Sequence, residues 1–456
     1  MTFDYDLLVI GGGSGGMAAS KKAAAYGKRT AIVEQTAYGG TCVNRGCIPK
    51  KLMVYAADIA LAQTAASAFG WEGSTLTLNW ATLIAKIQGH VKSLEQTIAS
   101  SLREAGVVTI QGHAQFKDPH TLLVKSDSGE LKHITAAAIV LAVGGRPNRL
   151  DMPGADHTIV SSDMFTLPEC PRRLAVMGGG YIGVEFSSIL AALGTEVTLL
   201  DPSSLILSGF DQTLRQGLQT ALCDRGITVL SKTTAKSIEK TDSGLVVHVE
   251  SDLDGRPSQI EVDQVLMAVG RQPNVESLNL GAAGVELEDG AIAVDAYSQT
   301  TQDHIYAVGD CTNRLPLTPV AIAEGKAAVD ALFGDSPVQV EYQWVPSAVF
   351  ARPELASVGL IESEAKEKFG DDGIDVVTAQ FQPLQHQFTD EGAPALLKLV
   401  ADRVTRRVLG VHMMGEHAAD IVQTAAIAVK SGITCEEIGK TIPIHPTTAE
   451  ELLDIL

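Results

Sequence analysis

The sequence predicts an α/β protein built on two Rossmann-like dinucleotide-binding units, and three observations carry that prediction. An apolar strand, Leu7-Leu8-Val9-Ile10, stops at the glycine run Gly11-Gly12-Gly13-Ser14-Gly15-Gly16 and gives way to an alanine-rich helical stretch, Met17 to Tyr26. Strand, loop and helix return at Leu174-Ala175-Val176-Met177, Gly178-Gly179-Gly180-Tyr181-Ile182-Gly183 and Val184 to Leu193. In each copy an acid closes the next strand: Glu34 after Thr30-Ala31-Ile32-Val33, and Asp201 after Val197-Thr198-Leu199-Leu200, both 18 residues beyond the last glycine of the loop. Strand, turn, helix and strand in that order make a βαβ unit.

The loop residues match what a nucleotide-binding turn needs. Gly11 and Gly178 make the tight turn, Gly13 and Gly180 let the backbone approach a pyrophosphate, and Gly16 and Gly183 pack helix on strand. The helix N-terminus beyond each loop, reached through Ser14 and through Tyr181-Ile182, attracts phosphate, while Glu34 and Asp201 take ribose hydroxyls. One such loop can arise from packing alone. Two copies with matched strand, helix and acid point to two dinucleotides, and the economical pair is a bound flavin, FAD, with a diffusible nicotinamide cofactor.

With 456 residues the chain has room for two or three domains, each with its own core. Hydrophobic residues at 45%, 43 glycines and 20% charged residues describe a globular protein rich in tight turns. A net charge of -19 and a pI near 5.0 argue against partners recognised by their phosphates, nucleic acid and anionic membranes alike. Residues 1–16 lack the basic start, apolar stretch and cleavage site of a signal peptide, so a mature cytoplasmic N-terminus is expected. No uninterrupted apolar segment approaches the roughly 20 residues that span a bilayer. Six cysteines are too sparse for a disulfide scaffold, and Cys170, Cys223, Cys311 and Cys435 stand singly.

Cys42 and Cys47 differ from those four. They lie in Gly39-Gly40-Thr41-Cys42-Val43-Asn44-Arg45-Gly46-Cys47-Ile48-Pro49-Lys50-Lys51. Their spacing is about one helical turn, so both sulfurs can meet at a helix start, where the helix dipole and Lys50 favour a thiolate. A reactive dithiol, half of a metal site and two unrelated thiols all fit the pattern; a metal is disfavoured because no second Cys/His pair stands at ligand spacing.

This stretch resembles the redox-active disulfide of the pyridine nucleotide-disulfide oxidoreductases, and the resemblance extends over the whole chain. It takes in Leu141-Ala142-Val143-Gly144-Gly145-Arg146-Pro147, Ala268-Val269-Gly270-Arg271-Gln272-Pro273-Asn274, Ile305-Tyr306-Ala307-Val308-Gly309-Asp310, Leu317-Thr318-Pro319 and Ile444-His445-Pro446-Thr447-Thr448-Ala449-Glu450-Glu451. The resemblance implies cofactor-binding positions at Gly40, Thr41, Gly144, Gly270 and Arg271. It puts Asp310 on the flavin ribityl chain, Thr318 at the pyrimidine edge of the ring, and Lys50 near flavin N5, paired with Glu185. Tyr181 covers the nicotinamide pocket until the cofactor arrives. It further implies a homodimer in which His445, oriented by Glu450, reaches the partner's cysteine pair as acid and base, as disulfide exchange requires.

The implied cycle passes two electrons from the nicotinamide through FAD to the Cys42–Cys47 disulfide by way of Cys47, after which Cys42 attacks a substrate disulfide. The ending around His445 resembles the glutathione and trypanothione reductase branch. Mercuric reductases carry a C-terminal cysteine pair, which is absent from Glu451-Leu452-Leu453-Asp454-Ile455-Leu456. Ser14, Ala18 and Lys21 fall at the glutathione-contact positions, where a small neutral residue and a cation suit an anionic peptide. Lys21 and Lys326 replace the usual arginines and Ile98 an aromatic, so glutathione disulfide or a related small disulfide is the expected substrate.

The nicotinamide expectation departs from the NADPH-specific branch. Asp201-Pro202-Ser203-Ser204-Leu205-Ile206-Leu207-Ser208-Gly209 contains no arginine or lysine, and an acid at Asp201 accepts from a 2′-hydroxyl and repels a 2′-phosphate, which favours NADH. The same feature keeps dihydrolipoamide dehydrogenase as the alternative enzyme; a flavin-binding redox sensor without turnover is the alternative of another class. The expected architecture is α/β, with an FAD domain in two segments (1–148 and 271–339), a nested nicotinamide domain (149–270) and a C-terminal α+β dimerisation domain (340–456).

Overall fold

Leu7, Leu8 and Val9 are wholly shielded from water, so the first strand has no solvent face, as in a parallel strand covered on both sides. A computed structural model describes residues 2–73, 76–252, 255, 257–389 and 392–455. The chain forms two compact units, one from Met1–Lys50, Ala81–Asn148 and Gly270–Tyr342, the other from Lys51–Trp80, Arg149–Val269 and Gln343–Leu456.

In the first unit the strands Val108–Gln111, Thr30–Glu34, Tyr5–Ile10, Leu131–Leu141 and Ile305–Ala307 run parallel in that order. Leu7 stands opposite Thr30 on one side and Ala138 on the other. Leu131–Leu141 changes partner along its length: its first half pairs antiparallel with Thr121–Lys125, which continues to His113–Asp118. Alternate residues feed opposite cores. Leu8, Ile10, Val33 and Leu141 join Phe116 and Leu122 on one face. Leu7, Val9, Ile32 and Val140 join Ala19, Leu102 and Ala328 on the other. The helices Ser14–Ala25 and Thr318–Phe333 meet there at Gly325, where a Cβ would stand 2.3 Å from the Gly15 carbonyl oxygen; only glycine permits the approach.

The second unit holds the other glycine loop. Its parallel sheet runs Thr228–Ser231, Glu196–Asp201, Arg173–Met177, Gln264–Met267, with a three-stranded antiparallel sheet from Thr233–Thr241, Gly244–Ser251 and Pro257–Val262. Residues 343–456 add a five-stranded antiparallel sheet, Ser347–Val349, Glu354–Gly359, Val408–Gly415, Ala395–Asp402 and Ile374–Phe381. The helix Ala418–Lys430 buries Val422, Ala426 and Val429 in the same core as Leu397, Leu399 and Val411. The fold is therefore α/β with two Rossmann-like sheets and a C-terminal α+β portion.

Two local expectations are corrected. The Rossmann helices start at Ser14 and Tyr181, three residues before the apolar periodicity begins, because the last motif glycine already lies in the first turn. The cysteine pair does not sit on one helix: Cys42 lies in Gly40–Arg45 and Cys47 opens Cys47–Ala65, with a break at Gly46. The helical stretch Gly40–Phe69 is also long and apolar enough, by length and composition, to cross a membrane. It is interrupted at Gly46 and carries Lys50, Lys51 and Asp58, the last bonded to Arg352 through two oxygens at 2.5 and 2.6 Å.

Candidate active site

The two nucleotide loops share one geometry. Gly11 and Gly178 have φ of 105° and 108°, and a Cβ at either would fall 2.3 Å from the Ala142 carbonyl oxygen or 2.5 Å from that of Ala268. At Gly16 and Gly183 a Cβ would meet the carbonyl oxygen of Gly11 or Gly178 at 2.0 and 1.9 Å, so the helix rests directly on its own loop. The middle glycines are open: nothing lies within 4 Å of a Cβ at Gly180, and at Gly13 only the Cα of Gly40 does, at 3.8 Å. Gly13 and Gly180 precede helices whose first N–H groups receive no side-chain cap. Open backbone beside uncapped N–H groups fits a pyrophosphate.

Each acid braces its own loop. Glu34 Oε2 accepts the Gly12 N–H at 2.7 Å and its Oε1 accepts Thr36 N–H at 2.8 Å. Asp201 repeats this with Gly179 N–H at 2.6 Å and Ser203 N–H at 2.7 Å. Carboxylates fixed at the strand end can still accept from ribose hydroxyls through their remaining lone pairs.

The helix Gly40–Arg45 begins against the first loop, since a Cβ at Gly40 would stand 2.6 Å from the Gly13 Cα. Gly40 and Thr41 thereby bring a second helix start, again without a side-chain cap, beside Gly13. Gly46 ends the turn where a Cβ would meet the Thr41 carbonyl oxygen at 2.8 Å. The resulting step brings the half-buried Cys42 into side-chain contact with the exposed Cys47. Thr318 Oγ1 lies 4.0 Å from the Cys47 sulfur.

The expected thiolate is corrected for Cys42. Its thiol is pushed well above the ordinary range, first by the hydrogen bond to Cys47 and then by burial; the Thr318 hydroxyl and the Lys50 charge act the other way with less effect. Two sulfurs in contact share a proton, and taking it from the half-buried Cys42 sulfur beside Cys47 is costly.

Asp310 and Thr318 stand at the ends of one connected stretch. Gly144 and Gly309 turn with φ of 67° and 76°, and Gly270 with 100°. Arg271 Nε lies 3.8 Å from Asp310 Oδ2, and its Nη2 donates to the Gly145 carbonyl. Thr318 opens its helix with Pro319 in the first turn and no side-chain cap, leaving N–H groups free. Sequence reasoning missed Glu324, 1% exposed on this helix, which accepts Gly309 N–H at 2.7 Å and the Tyr342 hydroxyl at 2.6 Å. The signal was a single acid in the otherwise apolar run Val320-Ala321-Ile322-Ala323-Glu324.

In the second unit, Glu450 Oε2 lies 2.9 Å from His445 Nδ1 and its Oε1 accepts Thr447 N–H at 3.1 Å. The His445 side chain is 79% exposed against 17% for Glu450, so a fixed carboxylate holds a ring whose other nitrogen faces outward. The Glu450 carboxyl is held below its ordinary value, first by His445 and then by the Thr447 amide. Glu185 is buried and accepts Phe350 N–H at 2.8 Å. Tyr181 is 45% exposed at the start of its helix, with Ile182 half-buried behind it.

In the first unit, Lys21 on the Ser14–Ala25 helix donates to Ser101 at 2.7 Å, Ser101 donates to the Ile98 carbonyl, and Lys326 is exposed on the facing helix. Ile98 packs into the core beside Leu102. The structure thus brings Cys42, Cys47 and Thr318 together in one unit and His445 and Glu450 together in the other.

Comparison with known proteins gives a consistent result. Residues 5–325 match the family model described as pyridine nucleotide-disulphide oxidoreductase, and residues 345–455 match that family's dimerisation domain. The chain is 44% identical to a glutathione reductase of Nostoc sp., covering 99% of both chains. It is 39% identical to a glutathione reductase of Burkholderia cepacia (99% of this chain, 98% of the relative) and 37% identical to one of Yarrowia lipolytica (98% of each).

Proposed function

The chain belongs to the pyridine nucleotide-disulphide oxidoreductase family, and from that premise we propose that it reduces glutathione disulfide, or a related low-molecular-weight disulfide, with electrons from NADH. As a family member it is an NAD(P)H-dependent disulfide oxidoreductase that works with FAD and a pyridine nucleotide. The observation that carries the proposal is the contact between Cys42 and Cys47 beside the Thr318 hydroxyl.

Bound FAD supplies a two-electron relay between a hydride donor and a dithiol. Its pyrophosphate is assigned to the backbone at Gly11, Gly13, Ser14, Gly16, Gly40 and Thr41, its ribose to Glu34, and its ring end to Gly144, Arg271, Asp310 and the helix start at Thr318, with Lys50 beside it. The nicotinamide dinucleotide is assigned to Gly178, Gly180, Tyr181, Ile182, Gly183, Asp201 and Gly270. In domain terms, residues 1–148 and 271–339 hold the flavin, 149–270 the nicotinamide, and 340–456 the second subunit.

From the reduced pair, Cys42 passes its proton to the partner subunit's His445 and its sulfur attacks one sulfur of the substrate. The substrate S–S bond breaks, a Cys42 mixed disulfide forms, and the departing thiolate takes the proton back from that histidine. Cys47 then attacks the Cys42 sulfur, releasing the second thiol and forming the Cys42–Cys47 bond. Two electrons leave the dithiol and two substrate thiols result. Glu450, which fixes the Nδ1 side of the ring, leaves Nε2 for these transfers.

The NADH preference rests on Asp201 and on the absence of lysine and arginine from residues 202–209. Substrate anions are assigned to Lys21 and Lys326, with Ser14 beside them; point charges in place of arginine forks make for looser recognition. Steady-state oxidation of NADH and NADPH with glutathione disulfide and lipoamide tests the reading. It predicts a kcat/KM for NADH at least about 10-fold above that for NADPH, with glutathione disulfide preferred. Turnover with NADPH alone, or with lipoamide alone, overturns the corresponding part.

A further inference from the structure

The turn that follows Asp201 is held in shape from outside. Leu207 has a φ of 56°, in the left-handed region that a bulky residue occupies only under constraint. The constraint comes from the next helix, Gln212–Asp224. Arg215 donates Nε to the Ile206 carbonyl at 2.7 Å and Nη2 to the Leu205 carbonyl at 2.9 Å. Gln219, one turn further on the same face, accepts the Ile206 N–H at 3.2 Å. Leu207 N–H donates to the Gly179 carbonyl at 2.7 Å, and the N–H of that same glycine is bonded to Asp201. The turn is clamped between the helix and the glycine loop, and Asp201 is bonded to that loop at Gly179 and to the start of the turn at Ser203.

The helix that carries the clamp is anchored in turn. Its N-cap, Asp211, is 1% exposed and accepts Thr213 N–H at 2.9 Å together with the ammonium of Lys398, 2% exposed, at 2.9 Å. A desolvated ion pair fixes where the helix starts and therefore where Arg215 and Gln219 reach. The planar guanidinium spans two successive carbonyls, which a lysine ammonium cannot do from one position. Two of its donors are spent on backbone, which makes Arg215 a brace for the turn.

We propose that Arg215 and Gln219 are positioning residues for dinucleotide recognition: they touch no nucleotide, and by holding residues 205–207 they fix the carboxylate of Asp201 where it meets the ribose. The inference rests on the assignment of Asp201 to the nicotinamide cofactor, and its test separates the two. In the FAD-loaded dimer, Arg215→Met and Gln219→Leu are compared with the parent, with Arg215→Lys as the conservative variant. Each of the first two raises the KM for NADH roughly 10-fold while kcat stays within about two-fold, and Arg215→Lys falls between. Hydrogen exchange over residues 203–210 quickens in both, with flavin content and melting temperature held, a pattern that a general loss of structure does not give. An unchanged KM and unchanged exchange in both variants overturn the proposal, as does a joint fall of kcat, flavin content and melting temperature. If the parent enzyme prefers NADPH, the NADH reading fails by itself, and the brace is read from the KM for NADPH, which the same variants raise.

Discussion

Cys42 and Glu450 are displaced from their ordinary acidities in opposite directions, and each displacement has a consequence that can be measured. The Cys42 thiol is raised by its bond to Cys47 and by burial. A raised thiol keeps its proton in the folded protein where the unfolded chain loses it, so the reduced protein loses stability as pH rises beyond the ordinary thiol value of 9.0. Denaturant midpoints of the reduced protein at successive alkaline pH values should fall, and fall less steeply in Cys42→Ser. Glu450 is lowered, so its support of His445 is complete above the ordinary carboxyl value of 4.5 and is lost as pH falls through the depressed one. Near neutrality the carboxylate is charged, and Glu450→Gln, which retains a hydrogen-bond acceptor without the charge, should lower kcat roughly 10-fold while leaving flavin content unchanged. The cysteine spacing was legible in the sequence. The break at Gly46 was not, because it is demanded by the Thr41 carbonyl across a turn.

At the scale of elements, the glycine loops do most to place the cofactor sites. Both were legible because strand, loop and helix are contiguous and repeat with matched acids. Their helix starts were misjudged by three residues, since periodicity registers only the apolar positions and the first turn is made of glycine and small residues. Gly178→Ala places a methyl group 2.5 Å from the Ala268 carbonyl at a φ of 108°. The strain amounts to about 2 kcal/mol and falls on the second loop alone. The variant should retain flavin while its KM for NADH rises; loss of flavin instead would place the flavin on the second loop. Glu324 escaped the sequence reading because its partners, the Gly309 amide and the Tyr342 hydroxyl, lie 15 and 18 residues away on either side and reach it only through the fold. Arg215 escaped because its partners, the Leu205 and Ile206 carbonyls, are backbone groups that only the folded turn brings to it.

For the whole molecule, the match of residues 345–455 to a dimerisation domain and the location of His445 within it bear on how a complete active site is assembled. A site shared between subunits makes a sharp prediction. Cys42→Ser and His445→Ala are each inactive as homodimers; unfolded together and refolded at equal amounts, they should recover about one quarter of the parent activity, because half of the dimers are mixed and each mixed dimer holds one intact site of two. Absence of any recovery, with mixed dimers demonstrated, would place cysteines and histidine in the same subunit. The doubled nucleotide loops announced the α/β class. A site of the kind proposed, shared between subunits, is not written in one chain's periodicity, because its two halves would belong to different chains.

The redox role of Cys42 and Cys47 is the claim on which the rest depends, and thiol counting tests it most directly. The FAD-loaded protein is reduced anaerobically with NADH, alkylated and mapped, before and after addition of glutathione disulfide. NADH should expose two additional alkylatable thiols, at Cys42 and Cys47, and glutathione disulfide should remove both while two equivalents of glutathione appear. Labelling of these two cysteines that is unchanged by NADH, with disulfide reduction still proceeding, would contradict it.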